Sequence, residues 1–337
     1  MPLRRRLVAT VAVVGAVGVL VAVAAVRLAG RDTASSPPST APSSSSAAAP
    51  AIVTRAGRIT FGADPPWATR AQWPVRGRIE SVTITGARSG LSTPAYVYLP
   101  PQYFQPRYAQ TRFPAAEILT GYPGRTADLI QGINVPAALL KLIDAHRAQP
   151  AVLVMMRPAV TYPRDTECTD VPSGPQVQTF FASDVPAVTM HTYRVRSNDW
   201  GVLGISVGGY CAAKLAMLHP SLFPVAVSLS GYPMAVRNAD TGDLWGDSQA
   251  FRDSNDLDWR LEHLPTPPIS LLLTMGSTEV AFDGLPAMRT FISLVKPPMR
   301  VASIVFPGLG HRRAAFDAEL PVTLSWLCRH LPTPSGS

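Results

Sequence analysis

Lysine is almost missing from this chain: of 30 basic residues, only Lys141, Lys214 and Lys296 are not arginine. Apart from Arg4-Arg5-Arg6 the arginines are scattered, and no basic cluster is interleaved with aromatics. The net charge of +8 therefore leaves no nucleic-acid footprint, and no nucleic-acid partner is expected. Histidine occurs six times, and no histidine and carboxylate group has metal-ligand spacing. No metal and no other cofactor is expected. Internal repeats are absent, which excludes a solenoid. Cysteine occurs three times, as Cys168, Cys211 and Cys328, so at least one has no internal partner.

No charge interrupts the run from Leu7 to Val26, which follows the three arginines. Roughly 20 apolar residues can span a bilayer, and arginines before the run keep the N-terminus in the cytoplasm. A cleaved signal has a shorter apolar region, and its small-residue cleavage site is only loosely met at Ala22-Val23-Ala24. Residues 1–30 are therefore expected to be a membrane anchor or a signal segment. The expected location is the cell membrane with the bulk of the chain outside, or secretion if the segment is removed. Residues 31–50 are rich in Ser, Pro, Thr and Ala without periodicity, and read as a disordered tether.

The centre of the chain is Gly204-Ile205-Ser206-Val207-Gly208, a G-x-S-x-G. The apolar run Trp200 to Ile205 before it is short enough for a buried strand. After it, Cys211, Leu215 and Leu218 recur at helical spacing among alanines. Strand, sharp turn and helix form the context in which this motif exposes a serine Oγ at a sheet edge. Glycines on either side let strand and helix approach, and the Val207 N–H at the helix start suits a tetrahedral oxyanion.

Around this centre, apolar strands alternate with helices. Arg78 to Pro100 reads as an antiparallel hairpin and Tyr103 to Phe113 as a loop. Strands are expected at Ala115–Leu119, Ala151–Met156, Val225–Leu229, Ile269–Thr274 and Arg300–Phe306. Helices are expected at Val135–Arg147, Val177–Tyr193, Gly284–Val295 and Arg312–His330. Arg157 to Pro175 reads as a long loop rimming the site, and polar Arg237 to Pro268 as an insertion outside the core. The alternation predicts an α/β fold with a mostly parallel sheet covered by helices on both faces. The glycine-rich turn Gly121-Tyr122-Pro123-Gly124 follows an early strand. Its Tyr122 N–H is the candidate second oxyanion donor, since Pro123 has none to give.

A serine needs a base, and the base an orienting acid. His311 follows the last strand in the glycine-rich loop Pro307-Gly308-Leu309-Gly310. Glu279 and Asp283 both follow the strand before it, with Glu279 nearer the strand end. The polar loop holding Cys168 is expected near the same sheet end as Cys211. A Cys168–Cys211 disulfide is one reading, and three separate thiols the other.

From about Arg78 to Pro332 the chain resembles the putative-esterase branch of the α/β-hydrolases, which includes esterase D and the mycolyltransferases. The resemblance rests on Gly204 to Tyr210, on His219-Pro220 with Phe223, and on Ser228-Leu229-Ser230-Gly231. It rests also on the Glu279-to-His311 spacing and on Leu244-Trp245-Gly246-Asp247 followed by Asn255-Asp256. It implies an α/β-hydrolase domain over residues 51–337, a triad of Ser206, Glu279 and His311, and oxyanion amides at Tyr122 and Val207. The expected activity is hydrolysis of carboxylic esters through an acyl-serine. The alternatives are acyl transfer to a cell-envelope sugar, with an acyl-glycolipid as substrate, and a non-catalytic anchored binding domain. Two departures stand out: the Tyr122 turn looks more like general esterases, and His311 is followed by Arg312-Arg313.

Overall fold

The computed structural model describes residues 56–336. The expected anchor and tether, residues 1–50, lie outside them. Among the described residues, no helix is long and apolar enough to cross a membrane.

The strands are β1 (Arg58–Phe61), β2 (Arg78–Thr85), β3 (Ser92–Leu99), β4 (Ala115–Leu119), β5 (Val152–Met156), β6 (Gly201–Ile205), β7 (Val225–Leu229), β8 (Ser270–Gly276) and β9 (Arg300–Phe306). They form one sheet in the order β1-β2-β3-β5-β4-β6-β7-β8-β9. Pairing is antiparallel from β1 to β5 and parallel from β5 to β9. Every residue of β4, β5, β6 and β7 is buried, as their mainly apolar character demands for strands covered on both faces; Glu117 and Ser228 are the polar exceptions.

The main helices are α1 (Val135–Asp144), α2 (Val185–Thr192), α3 (Val207–Leu218), α4 (Gln249–Asn255), α5 (Leu257–His263), α6 (Gly284–Leu294) and α7 (Arg313–His330). Alternate side chains of β5 feed two separate cores. Val152, Val154 and Met156 join α3, α5 and α6, whereas Leu153 and Met155 join Leu139 of α1 and Leu324 and Leu327 of α7.

The chain leaves β4 for β5 on one side and leaves β6 for β7 on the other. β4 and β6 are neighbours, so the connections diverge between their carboxyl ends. Ligands in open α/β sheets bind at such a point. Here it holds Gly121 and Ser206.

Four segments differ from their sequence reading. The stretch Val177–Tyr193 is not one helix: a single turn at Val177–Thr179 widens to a π-helical turn at Phe180–Asp184 before α2. Pro186 has no N–H to donate back into an α-helical ladder there. The polar stretch Arg237 to Pro268 contains α4 and α5, and Leu257 and Leu261 enter the main core. β9 is a half-exposed edge strand, not a core strand. Thr111–Arg112, read as loop, pairs with Ser335–Gly336.

Candidate active site

Ser206 joins β6 to α3 with φ 57° and ψ −120°, a backbone region that disfavours side chains. The two flanking glycines are required by contact. A Cβ on Gly204 would lie 1.9 Å from the Gly208 carbonyl oxygen, and one on Gly208 would lie 2.4 Å from that of Thr120. Packing thus forces the strand and helix together and lifts Ser206 at the junction. Val207 is the first residue of α3, so its N–H has no partner within the helix.

His311 Nε2 lies 2.9 Å from Ser206 Oγ, and His311 Nδ1 lies 2.8 Å from Glu279 Oε2. The other oxygen, Glu279 Oε1, accepts from the Ala281 N–H at 3.1 Å. The Glu279 side chain is 1 % exposed, so its hydrogen bond to histidine is shielded from water. Asp283, the competing acid, is exposed at the end of a left-handed turn.

The loops carrying Glu279 and His311 are stitched together. Thr278 donates through both N–H and Oγ1 to the Leu309 carbonyl, at 2.9 and 2.7 Å, and Gly308 N–H donates to Ser277 Oγ at 2.8 Å. Gly276 permits this approach, because a Cβ there would meet the Leu309 carbonyl oxygen at 2.2 Å. The His311 and Phe316 ring centres lie 5.3 Å apart at 85°, an edge-to-face contact beside the imidazole.

Serine, imidazole and carboxylate therefore form a continuous hydrogen-bonded line at the switch point. Residues 87–323 match the family described as putative esterase. The chain belongs to that family.

An uncharacterized protein of Corynebacterium glutamicum is 24% identical over 170 residues, which are 49% of this chain and 39% of that relative. The match thus spans about two fifths of the relative's length. Among solved structures, an S-formylglutathione hydrolase from Agrobacterium tumefaciens superposes with a TM-score of 0.64 at 14% identity, over 82% of this chain and 100% of the other. The fluorophosphonate-binding serine hydrolase F of Staphylococcus aureus gives 0.60 at 15% identity, over 75% and 98%. Both share the α/β-hydrolase fold with this esterase-family chain.

The serine of this esterase fold opens onto a cleft of about 500 Å³. Leu129, Ile133, Ile205 and Phe316 give it an apolar wall, and Arg312 and Arg313 lie at its edge. Leu129 and Ile133 come from a stretch that the sequence left unassigned, since no motif marks a wall built by packing. Gly121 lies directly against the serine: a Cβ there would sit 3.2 Å from Ser206 Cβ. Tyr122 also lines the cleft, and its hydroxyl donates to the Pro163 carbonyl at 2.7 Å. The segment 157–175 thus rims the site at Pro163, but Asp165 to Thr169 are buried beneath α3.

Cys168 and Cys211 form a disulfide with Cα atoms 5.7 Å apart. Beside it, the buried Lys214 Nζ donates to the Glu167 carbonyl and to Thr169 Oγ1, at 3.1 and 2.7 Å. Burial pulls the Lys214 amine down to about 7 and pushes the Glu167 carboxyl up to about 8. Cys328 is buried on the opposite face, and burial pushes its thiol up to about 12. Glu319 on α7 accepts from Thr274 Oγ1 at 2.6 Å, and its carboxyl is raised by burial. Among the described residues no His, Cys, Asp and Glu group is placed to hold a metal ion.

Proposed function

We propose that this chain hydrolyses carboxylic esters through an acyl-enzyme on Ser206. His311 Nε2 takes the Ser206 proton as Oγ attacks the ester carbonyl carbon. Glu279 accepts the Nδ1 proton in a hydrogen bond, which fixes the tautomer and stabilises the imidazolium. The tetrahedral oxygen accepts from the Tyr122 and Val207 N–H groups. Its collapse breaks the bond to the alcohol, which leaves with the proton from His311. Water then repeats the sequence on the acyl-serine and frees the acid. The carrying observation is His311, bonded to Ser206 at 2.9 Å and to a buried carboxylate at 2.8 Å. The apolar wall of the cleft suits the acyl group.

A fluorophosphonate probe tests this reading on the full-length chain. Wild type labels, and Ser206→Ala does not. Glu279→Gln lowers kcat by about 10³- to 10⁴-fold, the scale for a misoriented histidine, while Asp283→Asn stays near wild type. A folded wild type that never labels points instead to the anchored binding domain.

Acyl transfer to a sugar would use the same triad. The His311 side chain is 31% exposed, which leaves water a route to the acyl-enzyme and supports hydrolysis. Product analysis with and without a sugar acceptor separates the two. We also propose an extracytoplasmic catalytic domain, tethered through residues 1–50. The Cys168–Cys211 disulfide supports an oxidising compartment. Protease accessibility in intact cells tests the location.

A further inference from the structure

Arg157 is the residue immediately after β5. Leu119 and Met156 are register partners, and the Thr120 N–H donates to the Met156 carbonyl at 3.1 Å. Parallel pairing therefore continues to the point where β4 turns into Gly121, leaving Arg157 beside that turn. Its guanidinium donates to the Gly124 carbonyl from Nε at 3.3 Å and from Nη2 at 3.1 Å. Nη2 also reaches the Pro123 carbonyl at 3.3 Å. The guanidinium carbon lies 4.3 Å from the centre of the Tyr162 ring. The Tyr162 ring sits 6.3 Å from that of Tyr122, whose hydroxyl is held by the Pro163 carbonyl. The turn is thus gripped at both ends by one segment, residues 157–163.

That grip bears on one peptide plane. The Gly124 N–H donates to the Gly121 carbonyl at 2.9 Å, so the Gly121 carbonyl points into the turn. In a trans peptide the carbonyl and the following N–H point in opposite directions. The Tyr122 N–H therefore faces outward while this turn stays closed. If the turn opens, the Gly121–Tyr122 peptide is free to rotate and can place a carbonyl where the oxyanion needs a donor. Gly121 has no Cβ to resist that rotation.

We propose that Arg157 is a positioning residue for the oxyanion hole: by holding the Pro123 and Gly124 carbonyls, it keeps the Tyr122 N–H facing the cleft. The inference rests on Tyr122 as an oxyanion donor, in the reading given above.

The test uses the full chain as wild type, Arg157→Ala and Arg157→Lys, with active serines titrated by a fluorophosphonate. A short-chain 4-nitrophenyl ester gives kcat per titrated serine and KM. A trifluoromethyl ketone, which forms a hemiketal oxyanion on the serine, reports on the hole itself. Losing one oxyanion donor outright costs about 10²- to 10³-fold in kcat, so loosening one should cost about 10- to 100-fold. We expect that fall in kcat for Arg157→Ala with KM within about twofold, and a parallel loss of ketone affinity; Arg157→Lys recovers part of both. A merely structural arginine would lower the titratable fraction and leave kcat per serine unchanged, and that result overturns the proposal. If Arg157→Ala does not fold, Arg157→Lys and Tyr122→Phe, which each loosen one grip, must show smaller losses of the same kind in kcat and in ketone affinity. A wild type that does not label overturns the esterase reading and this inference with it. A labelled wild type matched by its Arg157 variants overturns this inference alone.

Discussion

Glu117 lies at the middle of β4, opposite Val154 and Val202, with its side chain fully buried. Neither carboxylate oxygen has a hydrogen-bond partner among the described residues. Desolvation pushes its carboxyl well above the ordinary 4.5, which favours the neutral form. An unpaired polar group in such a place costs stability, and an apolar residue of similar volume often restores it. Glu117→Met should raise stability by about 1–3 kcal/mol. The gain should be larger at pH 8 than at pH 5, because the unfolded carboxyl ionises at lower pH than the buried one and wild type loses stability as pH rises. Urea unfolding at both pH values checks this. A variant less stable at both would show that the carboxyl has a structural task that its apolar surroundings conceal.

Among the elements, the disulfide ties α3, the helix that begins after Ser206, to the loop at residues 165–170. Its cysteines are 43 residues apart in sequence. For such a loop the chain-entropy estimate is about 4 kcal/mol. The double variant Cys168→Ala/Cys211→Ala should therefore melt roughly 10 °C lower, read by calorimetry. A shift under about 2 °C would mean that Lys214 and its partners hold the loop unaided. The sequence disclosed the parallel strands because buried strands need mainly apolar runs between polar turns. Ser206, Glu279 and His311 could be singled out by their order and their places at strand ends, and the structure brings them within hydrogen-bond reach. The sequence concealed α5, where Leu257 and Leu261 are widely spaced apolar anchors in a polar stretch. Pro186 concealed the break in the segment from Val177 to Tyr193, since a proline near a helix start and one inside a helix look alike. Arg157 was invisible for another reason: it acts on backbone carbonyls brought near by sheet register, and no spacing in the chain records that.

Across the whole molecule, buried ionisable groups set how stability responds to pH. Burial pushes the Asp165 carboxyl up to about 6 and that of Glu167 to about 8, from ordinary values of 3.8 and 4.5. In the unfolded chain both ionise near their ordinary values. Between the two sets of values the folded state keeps protons that the unfolded state has released. Stability then falls as pH rises, by about 1.4 kcal/mol per pH unit for each group within its window. Lys214 works in the opposite sense. Its folded value is about 7 against 10.5, so between these the unfolded chain holds the extra proton and stability rises with pH. His219, lowered by burial, has that same sense below its ordinary 6.5. From pH 5 to 7 these carboxyls and Glu117 outweigh the one histidine, and above 7 the lysine offsets Glu167 while Glu117 still lowers stability. The melting temperature should therefore fall from pH 5 to pH 7 and change less steeply above it. Glu167→Gln keeps an acceptor for the Tyr232 hydroxyl, which bonds Glu167 Oε1 at 2.6 Å. Relative to wild type, that variant should gain stability as pH rises from 5 to 8, because the fall contributed by Glu167 is gone. A slope unchanged by Glu167→Gln would assign the pH dependence to groups outside this cluster.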